Sequence, residues 1–245
     1  MQKQFPKVKK KYALNNSYFK NRLPDAPANP FEVLDYFLQH NELPYIDHGI
    51  PADWFYDCFV EYQKRAGVHN SQFFTPTETA RNMAWVLKMY AHKEDAVLEP
   101  CCGFGQITQA LFLNGFRNVN AFDNDKKMVE AAQKLTFRKD EVDCFEWNDY
   151  TADDHVHLAR KFPFIISNPP YDGRELTAFL RYVREKLDCK GIAVLLIPCG
   201  FLDKIRPAKL VQILNDFTIL ERKPMKEPFA RTGTKAEIVV LQKTY

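Results

Sequence analysis

From Ala96 to the end of the chain, short apolar runs alternate with amphipathic stretches, and the alternation predicts strands and helices in turn. Ala96-Val97-Leu98, Val119–Phe122, Val142–Phe145, Phe164–Ser167, Ile192–Ile197, Phe217–Leu220 and Glu237–Leu241 read as strands. Gln106–Leu113, Lys126–Leu135 and Glu175–Leu187 read as the helices between them. Ahead of this series, Thr77 is expected to cap a helix to about Tyr90, with Ala80, Ala84, Leu87 and Tyr90 on one side. Further upstream, helices are expected at 31–40 and 51–66, the second carrying Trp54, Phe55, Cys58, Phe59 and Tyr62 at helical spacing. Pro44, Gly49 and Pro51 punctuate them, and "RLPDAPANP" (22–30) reads as a linker. The chain thus divides into a tail and linker (1–30), a helical extension (31–70) and a main domain (71–245). Strands and helices alternating at this length imply a mostly parallel sheet covered on both faces. Ligands of such sheets bind beyond the carboxyl ends of the strands.

Composition narrows the class without naming a chemistry. Of 245 residues, 46% are hydrophobic and 27% charged, which suits one large α/β domain with a small appendage. The longest apolar run, Ile192–Ile197, is far too short to span a membrane, and the N-terminus shows no apolar signal core, so a cytoplasmic protein is expected. Six cysteines form no CxxC pair and are expected to be reduced thiols, with no metal. The net charge of +3 is uneven: Lys3, Lys7, Lys9, Lys10 and Lys11 stand with no acid among the first eleven residues, and a second basic excess lies between Asp203 and Lys235. Such tails are usually solvated, and they also hold polyanions loosely.

"VLEPCCGFGQIT" (97–108) is a strand, a glycine turn and a helix start. Gly103 and Gly105 permit a tight backbone that a ligand can approach, while Thr108 stands where a dinucleotide fingerprint has its third glycine. Asp123, twenty residues after Gly103, ends the next strand, where a carboxylate holds ribose hydroxyls. A tight turn alone would explain the glycines equally well. Glu99 places negative charge where a pyrophosphate would sit, and residues 94–116 contain no Lys or Arg. A cofactor with a cationic centre and an ammonium group, such as S-adenosylmethionine, suits the turn better.

In this order the motifs resemble those of the adenine-modifying amino-group DNA methyltransferases. "QFFTP" (72–76) is similar to that family's N-terminal cofactor motif, "EPCCGFG" (99–105) to its glycine motif, and "FDND" (122–125) to its acidic ribose motif. "WNDY" (147–150) resembles the motif that contacts the cofactor's adenine, and "SNPPY" (167–171) the catalytic tetrapeptide. The resemblance covers about residues 70–243. It implies a Rossmann-like class I methyltransferase fold, with a seven-stranded, mostly parallel sheet and helices on both faces. It implies S-adenosylmethionine as cofactor. Thr75 and Pro76 would touch its methionine moiety, and Glu99, Cys101, Gly103 and Gly105 would line the amino-acid and ribose portions. Asp123, with Asn124 beside it, would take the ribose hydroxyls; Asp149 and Tyr150 would meet the adenine. Read alone, Thr75-Pro76 equally starts a helix, Asp149 caps a turn and Tyr150 is core. Asp125 reads as a helix N-cap.

The tetrapeptide carries the chemistry. An exocyclic aromatic amine is a poor nucleophile because its lone pair is delocalised into the ring. Two acceptors gripping both its hydrogens favour a pyramidal nitrogen, and the Asn168 side-chain oxygen and the Pro169 carbonyl supply two. Pro169 and Pro170 hold those oxygens still, which is electrostatic preorganisation. Tyr171 would stack on a base drawn out of its helix, with Ser167 supporting the strand end and Phe229 on the base's other face. A loop anchor is the plain alternative for Phe229. Family members that read a DNA sequence carry a recognition domain that has no counterpart in the segments identified, so specificity is expected to be low or supplied by a separate subunit, with residues 1–70 and 201–235 as the alternative carriers. Lys204, Arg206, Lys209 and Arg231 are candidate phosphate contacts. DNA adenine is the first reading of the target; RNA adenine, protein glutamine and cytosine remain as alternatives.

Overall fold

The computed structural model describes residues 45–46, 50–51, 74–135, 145–147, 160–203, 208–226, 229 and 233–245. The chain forms two compact units, Met1–Asn70 and Ser71–Tyr245. In the first, Tyr45–Ile46 (β1) and Ile50–Pro51 (β2) pair antiparallel, Ile46 opposite Ile50. The expected tail, linker and N-terminal helices otherwise lie outside the described residues.

The second unit is built on one seven-stranded sheet. Its strands are β3 (Val97–Pro100), β4 (Val119–Asp123), β5 (Phe145–Trp147), β6 (Phe162–Ser167), β7 (Leu187–Pro198), β8 (Phe217–Pro224) and β9 (Ala236–Lys243). They lie in the order β5-β4-β3-β6-β7-β9-β8, with β5 through β7 mutually parallel and β9 antiparallel to both neighbours. The chain winds outward from β3 through β4 and β5, then crosses to β6. The order therefore reverses between β3 and β6, and the crevice at their carboxyl ends is the natural ligand position.

Helices α1 (Thr77–Lys88), α2 (Gln106–Leu113), α3 (Lys126–Leu135), α4 (Gly173–Lys186) and α5 (Ala208–Leu214) complete the unit. The two faces follow from strand alternation. Leu98 and Phe122 point into a core with Phe179 and Val183 of α4 and Ile213 of α5, whereas Ala121 points the other way, onto Val129 and Ala132 of α3. The central strand β3 is buried along its whole length, as a parallel strand covered on both faces must be.

Several boundaries have local causes. Asp172 caps α4, its Oδ1 accepting from the Arg174 N–H at 2.9 Å, with Glu175 in the first turn and Arg184 and Lys186 in the last. Asp125 caps α3 as its sequence position predicts, accepting from the Lys127 N–H at 3.0 Å. Thr77 does not cap α1. It is the first helical residue and Pro76 is the N-cap, its carbonyl accepting from Ala80 at 2.9 Å. The β7 strand starts five residues before the expected Ile192, directly from α4. A Cβ on Gly191 would lie 2.8–2.9 Å from Leu187 and from the Asp188 and Pro163 carbonyls, so only glycine fits there. Helix α5 was not visible in the sequence pattern, and the end of α4 is closed by a distant residue. Lys243, 8% exposed in β9, donates from Nζ to the carbonyls of Arg184 (2.6 Å) and Leu187 (2.9 Å).

Candidate active site

The carboxyl ends of β3, β4 and β6 lie side by side at the switch point, and the glycine, acidic and tetrapeptide motifs follow them. Directly after β3 the backbone turns left-handed three times in five residues, at Cys101 (φ 58°), Gly103 (φ 54°) and Gly105 (φ 78°). Glycine adopts this without penalty; Cys101 bears a cost of about 1–2 kcal/mol. The turn is held from within. Cys102 N–H donates to the Phe122 carbonyl at 3.0 Å, and Gly105 N–H to the Cys102 carbonyl at 2.8 Å.

Asp123, 9% exposed, fastens this turn to β4. Its Oδ2 accepts from the Gly103 N–H and its Oδ1 from the Asp125 N–H, both at 2.9 Å. Burial pushes its carboxyl above the usual carboxylate range, and these donors pull it back. The Asn124 backbone N–H also acts on this carboxylate, and three donors do not exhaust its four lone-pair sites. Asn124 beside it is exposed.

Glu99 sits deeper than its sequence position indicates. Only 1% of it is exposed, and its Oε2 accepts from the Thr108 hydroxyl on α2. Burial raises its pKa from 4.5 to about 8, the Thr108 hydrogen bond working against the rise. Thr108, which in sequence only fills a missing glycine's place, is thus the donor that addresses this acid. The nine-residue spacing from strand end to first helical turn was the available signal.

Phe74 stacks on Phe104, ring centroids 5.0 Å apart at 22°, and lies beside Gly103, where a Cβ would be 3.9 Å from its ring. This stacking brings Thr75, 5% exposed, and Pro76 to the glycine turn. Gln106, the first residue of α2, is 3% exposed, and its Nε2 has no hydrogen-bond partner among the described residues. Sequence reasoning gave it no role.

The tetrapeptide follows β6. Ser167 Oγ donates to the Pro100 carbonyl at 2.6 Å, tying the end of β6 to the end of β3. Asn168 is 8% exposed, Pro169 is buried, and Pro170 and Tyr171 are half-buried before Asp172 starts α4. An anchored strand end and a capped helix thus fix both sides of a four-residue loop. Burial raises the Tyr171 phenol, which stays protonated. Phe229, 6% exposed, closes its own loop by exchanging backbone hydrogen bonds with Thr234 and Gly233, both at 2.9 Å. The structure brings Tyr171 and Phe229 together, but edge to face, with centroids 5.9 Å apart at 74°. That arrangement leaves no parallel gap between the rings.

Asp149, Tyr150, Lys204, Arg206 and Arg231 lie outside the described residues, and Lys209 is described in its backbone only. Among the described residues no group of three His, Cys, Asp or Glu is placed to hold a metal, and no helix is long and apolar enough to cross a membrane.

Residues 79–197 match the family model of the methyltransferase small domain. Solved structures share the architecture, among them the following three. A protein from Listeria monocytogenes described as a class I S-adenosylmethionine-dependent methyltransferase aligns at TM-score 0.58 and 13% identity, over 94% of this chain and 84% of its own. The fold is that of the class I methyltransferases. A protein from Vibrio vulnificus described as the modification subunit of a type I restriction enzyme aligns with this methyltransferase fold at 0.58 and 15%, over 78% of this chain and 48% of its own. One from Pyrococcus horikoshii described as an RNA methyltransferase aligns at 0.53 and 18%, over 70% and 85%. The chain therefore spans about half the length of the restriction subunit. No curated protein sequence matches it.

The cofactor of this methyltransferase fold is S-adenosylmethionine, and the residues of the turn fit it. Asp123 and Glu99 offer carboxyl groups to hydroxyl and ammonium donors. Gln106 offers a buried amide N–H, a group that folded proteins rarely leave unused. The absence of Lys and Arg from 94–116 disfavours a phosphate ligand.

Proposed function

We infer that this methyltransferase modifies an exocyclic amino group, the N6 of adenine in nucleic acid, with DNA as the first substrate. One observation carries the reading: Asn168 and Pro169 leave β6 at the switch point, on a strand end hydrogen-bonded to the residue that opens the glycine turn. The acceptor loop and the cofactor turn are thereby one rigid unit.

S-adenosylmethionine supplies a sulfonium-activated methyl group. The chain supplies the geometry. Asn168 Oδ1 and the Pro169 carbonyl accept the two amine hydrogens, which turns the nitrogen lone pair out of the ring plane. The new N–C bond would form as the sulfonium S–CH3 bond breaks, a neutral thioether leaving with the electron pair, and the same oxygens would stabilise the positive charge that passes to the nitrogen. Loss of one of its protons to solvent then restores a neutral amine, so no near-neutral general base is required. Tyr171 stacks on the base, and the base reaches it by leaving its helix, at about a few kcal/mol.

Residues 71–245 serve in this reading as the catalytic domain, with the basic tail, Lys204, Arg206, Lys209 and Arg231 as phosphate contacts and a separate subunit as the source of sequence specificity. RNA adenine is the second reading, supported by the fuller coverage of the protein described as an RNA methyltransferase. Labelled S-adenosylmethionine incubated with DNA, RNA and release factor, followed by identification of the modified nucleoside or residue, decides among them. N6-methyladenine in DNA is expected; label confined to RNA or protein overturns the first choice. Asn168→Ala should lower transfer by at least about 100-fold with cofactor affinity retained.

A further inference from the structure

An ionic cluster at the rim of the site takes no part in this chemistry. Glu237, near the start of β9, is 3% exposed. Its Oε1 accepts from the Gly200 N–H at 3.1 Å and from Arg222 Nη2 at 2.7 Å, and its Oε2 from Arg222 Nε at 2.9 Å. The same guanidinium donates to both oxygens of Asp203, at 2.7 Å each. Arg222 therefore makes two forks at once, one to a buried carboxylate and one to an exposed one.

Strand register explains the meeting. Arg222 of β8 lies opposite Val239 and Glu237 of β9 opposite Pro224, so Arg222 and Glu237 are diagonal neighbours on one face. Asp203 and Gly200 belong to the turn that leaves β7. One side chain thus joins β8, β9 and that turn. The loop carrying Phe229 springs from β8 just after this pair and returns into β9 just before it. Cys199, adjoining Gly200, donates its N–H to the Lys235 carbonyl at 2.9 Å in the same loop. Phe229 in turn meets Tyr171 edge to face, which links that loop to the tetrapeptide. The stems of the Phe229 loop and the turn after β7 therefore meet around this guanidinium.

We propose that Arg222 is a positioning residue that locks the Gly200–Asp203 turn and the stems of the Phe229 loop into one rigid wall of the target-base site. The proposal rests on the amino-methyltransferase reading for what the wall receives, and on hydrogen bonds alone for its rigidity. Lysine cannot substitute, because a single ammonium does not form two planar forks.

The test uses the full chain with Arg222→Lys and Asp203→Asn, the second removing one fork at an exposed residue. Amide hydrogen exchange should quicken in 199–203 and 233–235 in both variants and stay unchanged in the glycine turn and the start of α2, 101–109. Methyl transfer to the accepted nucleic acid should fall roughly 10- to 100-fold in Arg222→Lys, with cofactor affinity within about twofold of wild type. Full activity in the lysine variant, or unchanged exchange in both segments, overturns the proposal. Wild-type protein that modifies no nucleic acid overturns the functional reading instead, and the exchange measurement still decides the lock.

Discussion

Glu99 is a carboxyl placed where water does not reach, and its burial has a measurable consequence. Its pKa rises from 4.5 to about 8. Every tenfold change in a proton's affinity is worth ~1.4 kcal/mol, so the folded protein loses roughly 5 kcal/mol across that interval from this one group. The direction follows from proton counts. Between the two values the unfolded chain holds Glu99 ionised and the folded chain holds it protonated, so this group's contribution to stability is greatest below pH 4.5 and declines until about pH 8. Glu99→Gln removes the titration and keeps the shape. Urea unfolding of both proteins from about pH 5 to 9 isolates the effect in their difference. The variant should gain on wild type by up to ~1.4 kcal/mol per pH unit to about pH 8 and then hold its lead. If Glu99 pairs with the cofactor's ammonium as proposed, it would ionise on binding, so binding at about pH 6.5 should expel close to one proton, read by calorimetry in two buffers of different ionisation enthalpy. Parallel stability curves for the two proteins would refute the reasoning about burial; binding with no proton released would refute the pairing with the ammonium.

Three further outcomes follow from single contacts. Ser167→Ala removes the 2.6 Å tie to the Pro100 carbonyl; it should cost about 1–3 kcal/mol by denaturant melting and lower kcat more than it alters cofactor affinity. Gly105→Ala forces a side chain into φ 78° and should destabilise by about 1–2 kcal/mol while weakening cofactor binding in titration calorimetry. Lys243→Met leaves two carbonyls at the end of α4 without their donor; a loss of about 1–3 kcal/mol is expected in thermal unfolding, with transfer per folded molecule unchanged.

The parts of this fold legible in sequence are those governed by near neighbours. Strand and helix alternation from Ala96 onward, the glycine turn and the carboxylate ending β4 all follow from residues adjacent in the chain. The Asp125 cap is equally local. What escaped depends on residues brought together from afar. Glu99 reads as a site anion until α2 folds back and Thr108 addresses it. Pro76 rather than Thr77 opens α1, a boundary that backbone angles decide and composition does not. Helix α5 is short and follows a basic stretch, so it showed no clear apolar period. Arg222, Asp203 and Glu237 lie far apart in the chain and meet only because β8 and β9 pair in one register. Lys243 looks like a surface lysine near the terminus and is instead a buried cap.

The edge-to-face contact of Tyr171 with Phe229 bears on which guests the site admits. In the resting protein the edge of one ring already lies against the face of the other. A visitor must replace that mutual embrace with something larger and flatter before it is held. In the proposed amino-methyltransferase reading, small amines would lack the surface to do so, and selection would begin with shape, before any hydrogen of the amino group has met an oxygen.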